Sequence, residues 1–504
     1  MFDFSQFPAV YTANQIRALD KYAVEVEGIA GRILMQRAAR AAWVVLRQCW
    51  PDVERIQVVC GTGNNGGDGY LLAACAREHN IAVCVLEVGE REGICGDAAQ
   101  ARERALAAGV PLLPWSDDCL SVREAGNACT NVIVDALLGI GLANEVRPQQ
   151  RAVIDAVNAA KLPVLALDIP SGLCADSGQP LGAAVRAQQT VTFIAAKRGL
   201  YTGEGPFFCG QLKLACLGVP AITYTSIEPV SVRLLRLADL LAALPARAIT
   251  AHKGHCGRVL VVGGERGMGG AVLLAAEAAL RCGAGLISVA TRAEHLSPLL
   301  ARTPEVMGHG IRCADDVSPL LQNNNVIAIG PGLGQSSWSQ WLFQQVCRSD
   351  AQLVVDADAL NLLARGVGAV RGPCSRWVLT PHPGEAARLL ACSVADIEKD
   401  RFAAVERLQQ LYGGVVLLKG RGTLISDGEQ ILLCNYGNPG MASGGMGDVL
   451  SGVIAALLAQ GLPPLYATAL AACLHGGAAD RAARQGQRGL AASDLMPYLR
   501  EMLA

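Results

Sequence analysis

Residues 56–69 read Ile-Gln-Val-Val-Cys-Gly-Thr-Gly-Asn-Asn-Gly-Gly-Asp-Gly, a short apolar run that passes directly into a glycine-rich turn. A second glycine-rich turn, Gly-Gly-Met-Gly-Asp at 444–448, directly precedes the apolar run 449–458. The first pattern is typical of a strand, a loop and a helix in succession, and the second of a loop that opens a helix. In both turns, backbone N–H groups can point at an anionic ligand. One chain with two such turns therefore predicts two active sites.

Length and composition limit what the chain can be. Its 504 residues are too many for one ordinary core, so we expect two or three domains. The formal net charge is −1 and there is no cluster of Lys and Arg, which argues against nucleic acid as a partner. The 18 cysteines are scattered singly, without a Cys-x-x-Cys pair. This distribution is typical of reduced thiols and predicts a cytoplasmic location.

One segment near the C-terminus resembles a membrane span in its composition. Residues 449–479 contain no Asp, Glu, Lys or Arg, and the segment is long enough to cross a bilayer. However, Gly461, Pro463 and Pro464 interrupt it. We therefore predict two buried helices joined by a turn, and no membrane association.

Two series of short apolar runs, each alternating with helical stretches, divide the chain. The runs are continuously apolar, so we expect strands buried on both faces, in parallel sheets covered by helices. We predict two α/β domains in tandem, 1–220 and 241–504, with a linker at 221–240 where the pattern lapses. The predicted strands are 56–60, 82–88, 132–137, 164–169 and 190–194 in the first series, and 258–262, 286–290, 326–329, 353–356, 377–380 and 415–418 in the second.

The first turn fits the dinucleotide fingerprint Gly-x-Gly-x-x-Gly, after a strand and before a helix, which predicts a Rossmann-like sheet. Two details argue against a dehydrogenase that transfers hydride. Asp68 falls in the first helical turn, where it would repel a bound diphosphate. Asn64 and Asn65 add side-chain amides that a phosphate-binding turn does not need. These polar side chains favour a site that does more than bind a cofactor.

Two of the following strands end in carboxylates. Asp135 ends the run Val-Ile-Val-Asp, and Asp168 ends Leu-Ala-Leu-Asp, with Ser171 close behind it. Ligands of open parallel sheets bind outside the carboxyl ends of the strands, so we expect Asn65, Asp135, Asp168 and Ser171 to line one crevice. Either aspartate alone could simply cap a helix or a turn, but the two together favour a site. The oxygen atoms of Asn65, Asp135 and Ser171 could also hold a cation.

The stretch Gly-Asn-Asn-Gly-Gly-Asp-Gly at 63–69, with Asp-Ile-Pro-Ser-Gly at 168–172, resembles the NAD(P)HX epimerase domain of the YjeF N-terminal type. The resemblance implies interconversion of the R and S epimers of hydrated NADH or NADPH. It also implies that Asp168 is the acid/base group and that Asn65, Asp135 and Ser171 bind K⁺. The substrate contacts it implies are Asn64, Asn65, Gly66, Gly67, Asp68, Gly139, Ile140, Gly141, Leu142, Ala143, Asn144, Glu145 and Asp168.

This chain departs from that family's usual residues at two places. Thr62 stands where histidine is common, and Lys197-Arg-Gly-Leu replaces a more usual Lys-Pro-Gly-Leu. We expect neither change to affect the chemistry.

The second turn, Gly-Gly-Met-Gly-Asp at 444–448, opens a long apolar helix. Free N–H groups at a helix start can stabilise a phosphoryl group in transfer, and Asp448 can take the proton of an attacking hydroxyl. This combination suits a kinase that acts on a small alcohol. The chain has no Gly-x-x-x-x-Gly-Lys-Ser/Thr, which disfavours a Walker-type NTPase. The alternative is a simple turn in which Asp448 is an ordinary charge of the first helical turn.

Other loops at predicted strand ends support a phosphoryl-transfer site. Lys-Gly-Arg-Gly-Thr at 419–423 could hold nucleotide phosphates by its amides and by Lys419. His382 lies between two prolines at a strand end, which favours a ligand crevice over a structural role. Asp356 and Asn361 either cap the next helix or line the site, and the sequence leaves both roles open.

Thr-Pro-His-Pro-Gly-Glu, Lys-Gly-Arg-Gly-Thr and Gly-Gly-Met-Gly-Asp together resemble the ribokinase-like ADP/ATP-dependent NAD(P)HX dehydratase family. The resemblance implies a ribokinase-like α/β fold and ADP, with Mg²⁺, as phosphoryl donor. It also implies that the ring hydroxyl of (S)-NAD(P)HX is phosphorylated, that phosphate is then eliminated, and that Asp448 is the base. The implied contacts are Ala271, Gly334, His382 and Asp448 for the hydrate, and Lys419, Gly420, Arg421, Gly422, Thr423 and Gly447 for the nucleotide.

We therefore predict one enzyme in two halves, an epimerase fused to a dehydratase, that repairs hydrated NADH and NADPH. The alternative is a ribokinase-like or hydroxymethylpyrimidine-kinase-like small-molecule kinase fused to a nucleotide-sensing domain. The expected partners are NADHX, NADPHX and ADP, without nucleic acid or membrane, in a homo-oligomer.

Overall fold

The computed structural model describes residues 2–116, 119–120, 130–227, 230–368 and 372–504. The chain forms two compact units, one of residues 9–230 and one of residues 231–504 together with the segment that ends at Pro8. The division falls within the stretch predicted as linker, of which residues 228 and 229 lie outside the described residues.

The segment that ends at Pro8 belongs to the unit of residues 231–504, whereas the sequence predicts it as part of the first domain. Phe4 and Phe7 are part of the apolar core of that unit, and the Phe2 ring lies 4.6 Å from the ring of Tyr466. The Pro8 carbonyl accepts a hydrogen bond of 2.8 Å from Leu234 N. Burial of these aromatic rings stabilises the segment where it lies.

The unit of residues 9–230, here called the N-terminal unit, contains a parallel sheet of seven strands. The strand order is β3-β2-β1-β4-β5-β6-β7, numbered along the chain, so the order reverses between the first and fourth strands. Ligands of such sheets bind at this reversal, which positions the site described below. The strands are β1 Val53–Cys60, β2 Ala82–Glu87, β3 Leu112–Pro114, β4 Thr130–Ala136, β5 Val164–Leu167, β6 Gln189–Phe193 and β7 Gln211–Ala215.

Helices pack on both faces of this sheet, with separate apolar clusters against it. They are α1 Ala13–Glu25, α2 Gly31–Cys49, α3 Asn64–Glu78, α4 Gly96–Ala107, α5 Pro148–Ala159, α6 Gly205–Cys209 and α7 Ala221–Thr225.

The second unit, here called the C-terminal unit, contains a ten-stranded sheet in the order β11-β10-β9-β12-β13-β14-β15-β16-β17-β8. All pairs are parallel except those that join the fifteenth to the sixteenth and the sixteenth to the seventeenth strand. The strands are β8 Val232–Leu234, β9 Arg258–Val262, β10 Leu286–Thr291, β11 Met307–Gly310, β12 Val326–Ile329, β13 Gln352–Val355, β14 Trp377–Leu379, β15 Val415–Leu418, β16 Thr423–Ser426 and β17 Ile431–Cys434.

The helices of the C-terminal unit enclose this sheet. They are α8 Leu237–Ala242, α9 Gly269–Arg281, α10 Leu296–Arg302, α11 Ala314–Asn323, α12 Ser337–Cys347, α13 Ala357–Ala364, α14 Pro383–Leu390, α15 Val394–Lys399, α16 Arg401–Tyr412, α17 Met446–Ala459, α18 Pro464–Ala482 and α19 Met496–Met502. Short 3-10 turns in the chain lie at Phe4–Gln6, Arg91–Gly93, Arg198–Leu200, Ala293–His295, Pro439–Met441, Ala483–Gln485 and Ala492–Leu495.

The uncharged segment 449–479 forms most of α17 and α18, which are buried and joined by a short turn, as predicted. No helix among the described residues has both the length and the apolar composition needed to cross a membrane. Both predicted α/β domains are confirmed. The sheet of the N-terminal unit is parallel throughout, whereas the sheet of the C-terminal unit also contains the antiparallel pairs β15–β16 and β16–β17.

Two candidate active sites

The first glycine-rich turn joins β1 to α3, and its glycines allow the helix to begin directly against the strand. A Cβ on Gly61 would lie 2.0 Å from the Leu137 carbonyl oxygen, and one on Gly66 would lie 2.1 Å from the Gly61 carbonyl oxygen. A Cβ on Gly67 would lie 2.7 Å from the Met35 side chain. The space beside Gly66 and Gly67 is therefore filled by protein atoms.

A cavity of about 1420 Å³ opens beside this turn, at the reversal of the strand order. It brings together Asn64, Asn65 and Asp68 of α3 with Asp168, which follows β5. Gly66 and Gly67 do not line it. The predicted loop after β4 also lines the cavity, with Gly139, Ile140, Gly141, Leu142, Ala143, Asn144 and Glu145.

Asp168 is held in an uncommon backbone conformation, with a φ of +64°. Its N–H donates to the Val191 carbonyl at 2.7 Å, and its Oδ1 accepts from Phe193 N at 3.0 Å. Lys197 Nζ also donates to Asp168 Oδ1. A strained residue of this kind persists only where its surroundings fix it, and such residues cluster at functional sites. Asp168 is therefore a rigid carboxylate that faces the cavity.

Lys197 is a site residue that the sequence prediction missed. Its side chain is fully buried, and Nζ also donates to Thr192 Oγ1 and to the Phe193 carbonyl, each at 2.8 Å. Burial lowers the pKa of Lys197, while the adjacent Asp168 acts in the opposite direction. The available signal was a lysine shortly after the strand run 190–194, beside a departure from the usual family residues.

Among the other carboxyl groups that line the cavity, Asp68 on α3 and Asp20 on α1 are affected by Asp168. Burial, together with the nearby charge of Asp168, raises the pKa of both. A raised pKa means that these carboxyls hold a proton more readily than an exposed aspartate. Carboxyl groups with different environments in one cavity can divide the roles of acid and base. The site therefore offers proton acceptors and donors close together.

Of the four residues expected to line one crevice, Asn65 and Asp168 line the cavity, whereas Asp135 and Ser171 do not. Ser171 Oγ and Asn65 Nδ2 both donate to the Leu138 carbonyl. Asp135 Oδ1 accepts from Ser171 Oγ at 2.6 Å, and Asp135 Oδ2 accepts from Ser171 N at 2.8 Å. Asn65 Nδ2 donates to the Leu138 carbonyl at 2.9 Å, whereas Asn65 Oδ1 is buried without a hydrogen-bond partner. Buried polar atoms are nearly always paired, so this oxygen requires an explanation. The three side chains present the amide, carboxylate and hydroxyl oxygens that fit a hard cation.

The second glycine-rich turn leads into α17, in the C-terminal unit. Gly445 precedes the helix with a φ of +91°, and Asp448 lies in the first helical turn. Burial, with Asp356 and Asp358 nearby, raises the pKa of Asp448 to about 7. A carboxyl group with a pKa near neutrality is well suited to general acid/base catalysis.

Asp356, which is buried, pairs with the partly exposed Lys419 beside Asp448. Lys419 Nζ lies 2.7 Å from Asp356 Oδ1, and Ser451 Oγ donates to Asp356 Oδ2 at 2.8 Å. A Cβ on Gly447 would lie 3.4 Å from both Asp356 Oδ2 and Lys419 Nζ, so Gly447 adjoins the pair. Asp356 precedes α13 but makes no capping hydrogen bond with its side chain. The Asp356 side chain therefore does not cap α13 and instead pairs with Lys419.

His382 caps α14 and also lies close to the charged residues of this site. Its Nδ1 accepts from Gly384 N at 3.0 Å, and its own N–H donates to Glu385 Oε2 at 2.8 Å. Glu385 Oε2 lies 3.8 Å from Lys419 Nζ. Burial and the charge of Lys419 lower the pKa of His382. His382 therefore has a structural role as a helix cap, and it lies close to Lys419 of the candidate site.

The other predicted contacts come after β9, β12 and β15 in the chain. A Cβ on Gly332 would lie 3.0 Å from the Ala271 Cβ, so the start of α9 adjoins the loop after β12. Gly334, in that loop, donates from its N–H to Asp358 Oδ2 at 2.8 Å. Asn361 lies within α13 and accepts from Arg388 Nη1 at 2.9 Å. The loop between β15 and β16 consists of Lys419, Gly420, Arg421 and Gly422, with Thr423 as the first residue of β16.

Two buried residues near Lys419 were not predicted. His475 on α18 has an Nε2 without a hydrogen-bond partner, and burial with the charge of Lys419 lowers its pKa to about 4. Arg401 donates to the Lys419 carbonyl at 3.0 Å. Neither residue lies in a recognisable motif.

Each half of the chain matches a known protein family. Residues 31–199 match the family described as YjeF-related protein N-terminus, and residues 259–501 match the family NAD(P)H-hydrate dehydratase. The bifunctional NAD(P)H-hydrate repair enzyme Nnr of Coxiella burnetii is 48% identical, over 98% of this chain and 99% of its own length. That of Escherichia coli strain K12 is 43% identical, over 98% of this chain and 94% of its own.

The chain belongs to the family of bifunctional NAD(P)H-hydrate repair enzymes. The predicted family and both predicted domain types are thereby confirmed. Among solved structures, a ribokinase-like superfamily protein from Enterococcus faecalis V583 is 31% identical, with a TM-score of 0.51. It covers 55% of this chain and 97% of its own, which is consistent with a ribokinase-like C-terminal unit in this repair-enzyme family.

Proposed function

We propose that this chain repairs hydrated NADH and NADPH in two reactions. The N-terminal unit interconverts the R and S epimers, and the C-terminal unit dehydrates the S epimer at the expense of ADP. The membership of the bifunctional family supports this proposal over a small-molecule kinase fused to a nucleotide sensor. The observation that carries it is the presence, in each unit, of an acid/base carboxyl beside a glycine-rich turn: Asp168 and Asp448.

In the proposed epimerase, Asp168 accepts the proton of the ring hydroxyl. The adjacent carbon–nitrogen bond then opens to an aldehyde, and the ring nitrogen takes a proton from Asp68. Closure on the other face of the carbon, with the roles reversed, gives the other epimer. The cavity of about 1420 Å³ exceeds the usual volume of sites for drug-sized ligands, which suits a complete dinucleotide. Asn64, Asn65 and the loop 139–145 would contact the rest of that substrate.

In this proposal Asn65, Asp135 and Ser171 hold K⁺. The unpaired Asn65 Oδ1 supports an oxygen-preferring ion at this position. A bound cation would add positive charge beside the cavity and orient the Asn65 side chain, which also lines the cavity.

In the proposed dehydratase, Asp448 accepts the proton of the ring hydroxyl of the substrate. The oxygen of that hydroxyl attacks the terminal phosphorus of ADP. AMP leaves, and the N–H groups at the start of α17 stabilise the negative charge in transfer. Loss of phosphate from the ring carbon, and of a proton from its neighbour, restores the double bond of NAD(P)H. Ala271, Gly334 and His382 would contact the hydrate. Gly447 and the loop 419–423 would contact the nucleotide.

Mg²⁺ is proposed to accompany ADP. Among the described residues, no group of three His, Cys, Asp or Glu side chains is placed to hold a metal ion. A cage built from protein alone does not fit this site, and such ions commonly keep waters and bind through substrate phosphates. A cytoplasmic location and a homo-oligomeric assembly stay predictions from the sequence.

The test gives the purified chain (S)-NADHX and ADP and follows the absorbance of the dihydronicotinamide ring. We expect that absorbance to grow to the amount of hydrate supplied. Unchanged hydrate, together with phosphorylation of a vitamin-type alcohol, would favour the small-molecule kinase instead.

A further inference from the structure

Arg401, the first residue of α16, is a buried charge for which the proposed chemistry gives no role. Its side chain is 1% exposed and is the largest among the fully buried side chains of the described residues. Burying a guanidinium is costly unless its N–H groups are paired. Its partners therefore indicate why it lies there.

The guanidinium donates to the backbone where β15 ends and the loop 419–423 begins. Arg401 Nη2 donates to the Lys419 carbonyl at 3.0 Å and to the Leu418 carbonyl at 3.4 Å. Arg401 Nη1 donates to Glu398 Oε1 at 3.1 Å. One cation therefore fixes two successive peptide groups.

Gly420 lies directly against this guanidinium. Its φ is +139°, and a Cβ added to it would lie 2.8 Å from Nη1 and Nη2 of Arg401 and 3.0 Å from Cζ. A larger residue at 420 would have to displace the arginine. The glycine and the arginine therefore form one packed arrangement under the loop.

The contact between Arg401 and the Lys419 carbonyl also sets the direction of the Gly420 N–H, which belongs to the same peptide group. In a trans peptide the C=O and the following N–H point in opposite directions. Because the Lys419 carbonyl points at Arg401, the Gly420 N–H points away from it, to the other side of the loop. The backbone N–H and the side chain of Lys419 are fixed too. The N–H donates to the Pro381 carbonyl at 2.8 Å, and Nζ donates to Asp356.

We propose that Arg401 is a positioning residue for the nucleotide: it holds the Lys419 carbonyl inward so that the Gly420 N–H and Lys419 stay aimed at the phosphates of ADP. The inference rests on the proposed function, because it needs a nucleotide at the loop 419–423. Arg401 itself touches no reacting atom. Its positive charge beneath the loop also favours an anionic ligand above it.

The test compares Arg401→Gln, Arg401→Lys and Arg407→Gln in the full chain. Arg407 is an exposed residue of the same helix and serves as the matched control. The KM for ADP, the KM for (S)-NADHX and kcat are measured for each variant. Epimer exchange by the N-terminal unit of the same molecules controls for the amount of intact protein.

We expect Arg401→Gln to raise the KM for ADP by about tenfold or more, the size of effect expected for a lost charged hydrogen bond, with little change in the KM for the hydrate. Arg401→Lys should recover part of this loss because it keeps the charge, and Arg407→Gln should match the wild type. A KM for ADP that is unchanged, or that rises only as much as the KM for the hydrate, would overturn the proposal.

Two further measurements keep the test decisive. If Arg401→Gln does not fold, Arg401→Lys alone decides, and a wild-type KM for ADP in that variant overturns the proposal. If the wild type fails to dehydrate the hydrate, the proposed function fails by itself. Calorimetric titration of ADP into wild type and Arg401→Lys then tests the positioning role without the reaction, with weaker binding by the variant expected and equal binding contradicting it.

Discussion

Lys419 Nζ lies 2.7 Å from Asp356 Oδ1, so the lysine of the second site is paired with a carboxylate that is only 1% exposed. This pairing lowers the pKa of Asp356, whereas burial and the nearby Asp356 charge raise the pKa of Asp448 to about 7. Two carboxyl groups in one site are thereby separated into a permanent anion and a group that can exchange protons. This separation supports Asp448 as the base.

The pH dependence of dehydration should follow Asp448. Its carboxylate accepts a proton only when ionised, so kcat/KM should fall as the pH decreases through about 7. The neighbouring His475, whose pKa is lowered to about 4, stays neutral across that range and should not contribute. Rates of NADH formation across this range measure the profile. A profile that is flat through neutrality would contradict the assignment.

Replacement of Asp448 by asparagine should reduce dehydration by about 10²- to 10⁴-fold, the usual contribution of a general base. Epimer exchange by the same protein should be unchanged, because Asp168 and its cavity lie in the other unit. Both rates are measured on one preparation. Equal loss of both activities would argue against independent sites.

The same substitution should stabilise the C-terminal unit at alkaline pH. The pKa of Asp448 is raised from 3.8 to about 7 in the folded chain, so its contribution to stability is greatest below 3.8 and is lost as the pH rises through 7. Asparagine cannot ionise and does not suffer this loss. In urea unfolding, the stability of Asp448→Asn minus that of the wild type should therefore grow with pH. A difference that is independent of pH would show that the carboxyl is not destabilised by ionisation.

Epimer exchange should depend on the pair of Asp168 and Lys197. Asp168→Asn should slow exchange by about 10²- to 10⁴-fold, and Lys197→Met should also slow it because the carboxylate then loses its buried partner. Lys213→Met, at an exposed position on β7, is the matched control. Exchange is followed by chromatographic separation of the R and S forms. Wild-type exchange in Lys197→Met would show that the lysine is only structural.

Potassium should affect the first reaction through Asn65. Replacing K⁺ by a bulky organic cation should slow epimer exchange in the wild type, because Asn65 Oδ1 then loses its proposed partner. Asn65→Leu should exchange slowly and respond little to K⁺. The comparison uses exchange rates at matched ionic strength. An equal rate with and without K⁺ in the wild type would contradict the cation site.

Two glycines of the first turn offer a matched test of packing. Gly66→Ala should destabilise the N-terminal unit by more than about 2 kcal/mol, because its Cβ would lie 2.1 Å from the Gly61 carbonyl oxygen. Gly63→Ala should change stability little, since nothing lies within 4 Å of that position. Denaturant unfolding of both variants measures the difference. Similar stabilities would mean that the turn adjusts easily to a side chain at Gly66.

The parts predicted well from the sequence have local causes. Buried parallel strands are continuously apolar, and carboxylates mark where two of them end: Asp135 is the penultimate residue of β4, and Asp168 directly follows β5. The sequence therefore predicts strand ends and candidate site residues together. The strands that the sequence prediction missed are β3, β7, β8, β11, β16 and β17. β3 and β8 are short and β7 is largely exposed, so they carry weak signals. β17 was missed although it is buried and apolar throughout.

The parts not predicted depend on partners distant in sequence. Lys197 acquires its role from Asp168, which is 29 residues away, and Arg401 from the carbonyl of Lys419, which is 18 away. Gly66 and Gly67 were expected to contact substrate, but their lack of a side chain is explained by close packing inside the unit. A glycine-rich motif alone does not separate these two causes.

The most direct test of the account uses an equilibrated mixture of (R)- and (S)-NADHX with excess ADP. The wild type should convert all of it to NADH, whereas Asp168→Asn should rapidly convert only the S fraction and leave the R fraction behind. Asp448→Asn should form NADH about 10²- to 10⁴-fold more slowly than the wild type, yet still interconvert the epimers. Rapid consumption of both epimers by Asp168→Asn, or NADH formation at the wild-type rate by Asp448→Asn, would contradict the division of labour between the two sites.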